Sequence, residues 1–183
     1  MLNRVVTVAA LAVGGMMLSK KLKGNKSGLD SSIIETIEVN VPVRTAYNQW
    51  TQFEEFPSFM EGVEEVRQVD DTHLHWRTKV AGREKEFDAE ITEQTPDQRV
   101  AWTSTEGAEH AGVVTFHRVG DDETRIMVQI DVEPDGAVEK AGDALGLVKR
   151  RVASDLERFK ELIEGRGGES GAWRGEVGQT ATQ

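Results

Sequence analysis

His73 and His75 stand two residues apart on what reads as one face of a strand, a spacing that pairs of metal ligands use. They share that face with Arg77 and Lys79 and lie opposite Leu74 and Trp76, so the face reads as solvated. No third ligand accompanies them, and no metal site is assigned. His117 alternates with Phe116 and should point outward, while His110 falls in a loop from which it could reach a cavity mouth. Among 32 carboxylates, pairs arise by chance. Asp88 and Glu90, opposite Phe87, Ala89 and Ile91, make no convincing acid/base dyad. The chain has no glycine-rich phosphate loop, no G-x-S-x-G and no H-E-x-x-H. It has no cysteine, which excludes thiol catalysis, disulfides and thiolate-held zinc. No catalytic residue and no cofactor are therefore assigned.

What remains is chemistry of binding. Trp50, Phe53, Phe56, Phe59, Met60, Trp76, Phe87, Trp102 and Phe116 form a large aromatic and methionine set, most of it expected in the core. Trp76, Trp102 and Phe116 project from strand faces toward the long C-terminal helix, and are the expected lining of an internal cavity, edged by Thr78 and Ser104. Those hydroxyls, with Thr124, could orient a carbonyl or hydroxyl of an apolar ligand, or be satisfied by backbone groups. Gly142 and Gly146 interrupt the helix at about 1 kcal/mol each. They mark either a tolerated break or a place where a bound molecule approaches the backbone, and they complete the candidate cavity. Phe56, Phe59 and Met60, on a short aromatic element, are the candidate gate.

The elements that must position these residues follow from periodicity. From Gly136 to Glu164, apolar residues recur every three or four positions, at Val138, Ala141, Leu145, Val148, Val152, Leu156, Phe159 and Ile163. The opposite face carries Lys149, Arg150, Asp155, Glu157, Arg158, Lys160 and Glu161. Asp135 is placed to cap the start, Gly165 to end it, and Arg151–Asp155 and Lys160–Glu164 are expected i,i+4 pairs. Such a helix is about 43 Å long and needs something broad to wrap it. Upstream, Ile33 to Val41 alternates as a strand, Pro42 opens an amphipathic helix through Trp50, and FEEFPSFM reads as a second short helix or turn. From Gly62 to Val132 about six strands with short connections imply an antiparallel meander.

The ends differ from the middle. Residues 1–28 contain the uncharged run VVTVAALAVGGMML and five basic residues without an acid, a net +5 against −10 for the whole chain, which leaves −15 for the remainder. As a helix, residues 5–18 reach about 21 Å, short of a bilayer core. A cleaved signal peptide, a short membrane anchor and a helix lying on the membrane or on the domain compete. The basic cluster after the apolar run favours the anchor, with the domain on the cytoplasmic side. Residues 29–32 read as linker, 33–164 as one domain, and the glycine-rich 165–183 as a disordered tail. The acidic body is a poor surface for nucleic acid, which is not expected as a partner. Oligomeric state is not readable.

The segment IEVNVPVRTAYNQWTQFEEFPSFMEGVEEV resembles the opening of the bacterial polyketide cyclase/dehydrase and coenzyme Q-binding protein-like group, and ASDLERFKELIE resembles the end of its grip helix. That group is part of the START-like helix-grip superfamily (SRPBCC), and the resemblance covers about residues 33–164. It implies an α+β fold, a curved antiparallel sheet wrapped around a long C-terminal helix with two short helices after the first strand, and an apolar cavity. The superfamily has no shared catalytic signature, so the ligand is left open. The leading expectation is binding of a lipid, quinone or polyketide-like molecule at the membrane surface. A cyclase or dehydratase and a protein-interaction module are the alternatives.

Overall fold

The computed structural model describes residues 32–80, 82–106, 110–132 and 138–178. The apolar N-terminal run and its basic flank, the loop before His110 and the expected Asp135 cap lie outside the described residues.

Seven strands build one sheet: β1 (Ser32–Val39), β2 (Val63–Gln68), β3 (His73–Val80), β4 (Arg83–Thr95), β5 (Arg99–Glu106), β6 (His110–Gly120) and β7 (Glu123–Val132). Every pairing is antiparallel, and the order is β1-β7-β6-β5-β4-β3-β2. The meander from β2 to β7 is thus laid down in sequence, and β1 closes on its last strand. The connection from β1 to β2 crosses from one edge of the sheet to the other through α1 (Val43–Trp50) and a 3-10 helix (Phe53–Ser58). Pro42 sits just ahead of α1 in an extended conformation, and its carbonyl accepts the Ala46 N–H at 3.1 Å. Proline suits that position because its own missing N–H would have no partner there.

The long helix α2 runs from Val138 to Arg166 across the concave face. It does not stop at Gly165. The chain turns at Gly167, whose φ of 74° lets its N–H reach back to the Ile163 carbonyl at 3.2 Å. Along the C-terminal half of the helix Leu156, Phe159 and Ile163 are buried, and the Phe159 ring meets Trp50 at 5.1 Å and Phe59 at 5.2 Å. Asn40 ties its backbone N–H and side-chain amide to Glu164, and Lys160 Nζ donates to the Glu38 carbonyl, so this end is also clamped by polar contacts.

Residues 167–178 do not run free as the glycine-rich composition suggested. β4 has 13 residues and overhangs the 8-residue β3, leaving backbone groups open on its edge. Val177 pairs with Gln94 there through two 3.0 Å hydrogen bonds. Arg174 makes a two-pronged pair with Asp97 at 2.7 and 2.9 Å, reaches Asn48 and lies over the Tyr47 ring. The Trp173 N–H donates to Thr51. Backbone pairing, side-chain ion pairs and a side-chain-to-backbone bond hold this strap, a kind of order that hydrophobic patterning does not reveal.

Because Phe159 is wholly buried at the aromatic junction, Phe159→Ala should cost about 3–5 kcal/mol of stability. Urea denaturation measures it, and an unchanged midpoint would mean the helix is not gripped here.

Candidate functional site

The side chains of α2 that face the sheet change character along its length. Phe159 and Ile163 fill the space beneath them, Leu156 is buried at the edge of an opening, and Val152 and Val148, one and two turns earlier, face it. Across that opening the sheet presents Val63, Leu74, Trp76, Thr78, Phe87, Ile91, Val100, Trp102, Val128 and Ile130, which alternate inward along β2 to β5 and β7. The remaining wall is Trp50, Phe53, Phe56, Phe59 and Met60. The result is a cavity of about 390 Å³, partly open to solvent. Its exposed members, Glu61 and Lys85, mark the mouth.

Trp76, Thr78 and Trp102 stand where strand alternation puts them, on this wall. Trp76 stacks on Phe87 at 5.7 Å with an 11° tilt. Thr78 donates its hydroxyl to the Lys85 carbonyl at 3.3 Å. Thr124 is fully buried and donates to the Val41 carbonyl at 2.8 Å, so its hydroxyl is held by backbone. Trp102 owes its position to its cross-strand partner Gly112: a Cβ there would come within 2.3 Å of the indole. The glycine lets the ring lie flat over β6.

Other expected positions fall elsewhere. Phe116 points to the same side of the sheet but is covered by α1, its ring 5.5 Å from Tyr47 and 6.2 Å from Trp50, and it belongs to the solid core. Ser104, opposite Ala89, is half-buried and is not part of the cavity wall. Gly146 is exposed with open space beside it and is not part of the cavity wall. The surroundings of Gly142 lie outside the described residues. Of the three gate candidates, Phe56 and Phe59 are buried and interlocked with Trp50 and with each other at 5.3–6.3 Å. Met60 alone of them is half-exposed.

Four charged residues also line the cavity: Glu61, Lys85, Arg151 and Asp155. Asp155 faces inward, not outward, because the inner stripe of α2 is broad enough to take in positions 148, 151, 152, 155 and 156. Its Oδ1 accepts the Glu61 N–H at 3.0 Å and a guanidinium N–H of Arg158, whose Nε donates to the Phe59 carbonyl at 2.7 Å. Burial pushes the Asp155 carboxyl above the usual carboxylate range, with the Glu61 amide, Arg158 and, more weakly, the charge of Arg151 acting against it. The expected Arg151–Asp155 pair is absent among the described residues, since Asp155 is engaged by Arg158 instead. Lys85 had a readable signal: it sits in the inward register of Phe87, Ala89 and Ile91 at the open end of β4.

On the outer face, His75 Nδ1 meets Asp88 at 2.7 Å and His73 Nδ1 meets Asp70 at 2.9 Å. The His73 contact and two backbone N–H bonds hold the Asp70 pKa at about 2, led by the Thr72 amide. These are surface pairs. Among the described residues no group of three His, Asp or Glu side chains could hold a metal ion, and no helix is long and apolar enough to cross a membrane.

A family model described as polyketide cyclase / dehydrase and lipid transport matches residues 39–161. The chain is 64% identical over 148 residues to an uncharacterized 17.2 kDa protein from the melC2-rnhH intergenic region of Streptomyces lincolnensis, which covers 80% of this chain and 99% of that one. Among solved structures it is similar to the Zhui aromatase/cyclase from Streptomyces sp. R1128, with TM-score 0.62, 15% identity and coverage of 78% and 98%. It is similar also to a START superfamily protein from Mycobacterium smegmatis, with TM-score 0.58, 18% identity and coverage of 74% and 95%. At these identities the structures establish the fold: the curled sheet and C-terminal helix are the START-like helix grip.

The Gly112–Trp102 fit makes a sharp test of the wall. Gly112→Ala should force the indole off β6 and cost about 1–3 kcal/mol, as overpacking does. Pairing it with Trp102→Leu should recover most of that loss in a thermal-melt double-mutant cycle. Additive losses would mean the two residues do not press on each other.

Proposed function

The chain belongs to the polyketide cyclase / dehydrase and lipid transport family, and from that premise we propose that it binds an apolar small molecule, a lipid, quinone or polyketide-like compound, between its sheet and α2. One observation carries the reading: the helix fills only part of the concave face, leaving about 390 Å³ walled almost wholly by aromatic and aliphatic side chains. That volume falls within the range of small-molecule sites, roughly 300–1,000 Å³, and apolar walls with few polar groups are their usual lining. Trp76 and Trp102 provide flat faces for a ring or chain, Thr78 stands beside them, and Met60 is the side chain best placed to move as the mouth opens.

The cyclase or dehydratase reading is the alternative, and Asp155 is what favours it. A cavity-lining carboxyl whose pKa is raised by burial is a candidate general acid or base. Both readings are tested by titrating the protein with quinones, long-chain acyl compounds and aromatic polyketides while following tryptophan emission. Binding should shift or quench the emission, and Trp76→Leu and Trp102→Leu should each diminish the change. Ligand recovered unaltered supports binding, ligand recovered converted supports the enzyme, and no response from any apolar compound removes both.

We further propose that residues 1–28 hold the domain at a membrane surface, on the strength of the uncharged 5–18 run and the lysines after it. Full-length protein should sediment with anionic lipid vesicles, and a chain beginning at Ser31 should stay in the supernatant. Full-length protein remaining soluble beside vesicles would contradict the tether.

A further inference from the structure

The charges at the cavity mouth are not evenly paired. Asp155 and Glu61, the two rim carboxylates, share one cation: Arg158 pairs with Asp155 and stands 3.6 Å from Glu61. Asp155 is further satisfied by the Glu61 amide. Lys85 and Arg151 line the same cavity, and neither makes an ion pair or a side-chain hydrogen bond with any described residue. Among the described residues the charged lining balances, Lys85 and Arg151 against Glu61 and Asp155, and Arg158 behind the rim brings a third cation to the two carboxylates, so it is the lining cations that go without a contact partner.

The two unmatched cations bracket one row of the wall. Val63 pairs with Thr78, and Thr78 pairs with Lys85, so these three residues form a cross-strand line along the mouth. Two strand spacings separate its ends, about 10 Å. Arg151 reaches this row from the helix side: its Nη1 lies 3.2 Å from where a Cβ on Gly62, next to Val63, would be. Lys85 stands at the other end, its exposed side chain counted in the wall. Arg151 is half-buried, so its guanidinium gives up part of its hydration, and it gains no carboxylate in direct contact, the Asp155 charge acting on it only from beyond ion-pair distance. Its helix neighbour Asp155 is held in contact by Arg158, and Glu84 and Glu86 stand on the outer face of the hairpin, opposite Lys79 and Arg77 in strand register.

We propose that the ligand of this cavity is amphipathic, with an apolar body among Trp76, Trp102 and Val152 and an anionic end, a carboxylate or phosphate, held at the mouth by Lys85 and Arg151. This rests on the cavity being a binding site, and narrows the ligand class from apolar to anionic-ended. A planar guanidinium suits a two-oxygen acceptor, and an ammonium on a flexible stem can close from the far side. The same pair would turn away quaternary-amine ligands and give neutral ones no anchor.

The experiment compares matched ligands on the full-length protein by isothermal titration: dodecanoic acid against methyl dodecanoate, and dodecyl phosphate against dodecanol. The anionic member of each couple should bind about tenfold or more tightly than its neutral partner. The ratio should collapse toward one in the double variant Lys85→Gln, Arg151→Gln, and Arg151→Lys should retain part of it. The two couples show whether carboxylate or phosphate is the preferred end. Equal affinity of acid and ester, and of phosphate and alcohol, overturns the anionic end while leaving the cavity as a binding site. A preference that survives in the double variant overturns the assignment to these residues. Failure of all four ligands to bind removes the cavity reading and this proposal with it.

Discussion

The packing of Phe159 and Ile163 into the concave sheet is the constraint on which the rest depends. Those side chains, with Leu156, are buried to the last few percent, and around Phe159 the rings of Trp50 and Phe59 interlock. Interiors packed this closely do not slide, so the C-terminal half of α2 is fixed. Beyond that fixed half, α2 and the curled sheet are not packed solid against each other. At Val152 and Val148 space opens, and the sheet residues facing it are already apolar because strand alternation assigned them inward. The cavity is a consequence of gripping a helix at one end.

The polar features are arranged around the same geometry. Arg158 links α2 to the Phe59 carbonyl at the end of the 3-10 helix and to Asp155 at the cavity, so one guanidinium ties the tight end of the grip to the rim of the open end. The strap of residues 167–178 closes the edge of β4 and lies over Tyr47, whose phenol burial pushes above its ordinary pKa and whose hydroxyl accepts from Gln94. It reinforces the packed side of the molecule, away from the cavity residues, so the mouth is not what it covers. Packing is thus concentrated at one end of the sheet, and the other is left open.

The periodic signals in the sequence were enough for the architecture, because a wrapped helix and a meander each impose one repeat on their residues. Alternation along β3 and β5 located Trp76, Thr78 and Trp102. The same rule misplaced Phe116, since facing inward does not say which helix is above: α1 covers β6, and only tertiary packing decides that. Asp155 was read as outward because charged residues are assumed to face water, whereas a helix beside a cavity can turn a charge inward if an Arg158 and a free amide await it. Arg151 goes with it, since an expected pair with Asp155 does not reveal that Arg158 takes the contact and leaves Arg151 farther off. The strap had no periodicity to read, its order coming from Arg174, Trp173 and Val177 meeting specific acceptors far away in sequence.

The central claim is that helix and sheet leave an apolar space that protein atoms do not fill. Crystals of the protein under xenon pressure test it most directly, because apolar cavities of this kind take up xenon. The account predicts density between Trp76, Trp102 and Val152, either xenon or an apolar molecule already bound there. Side chains packed across that space, with no density for either, would contradict it.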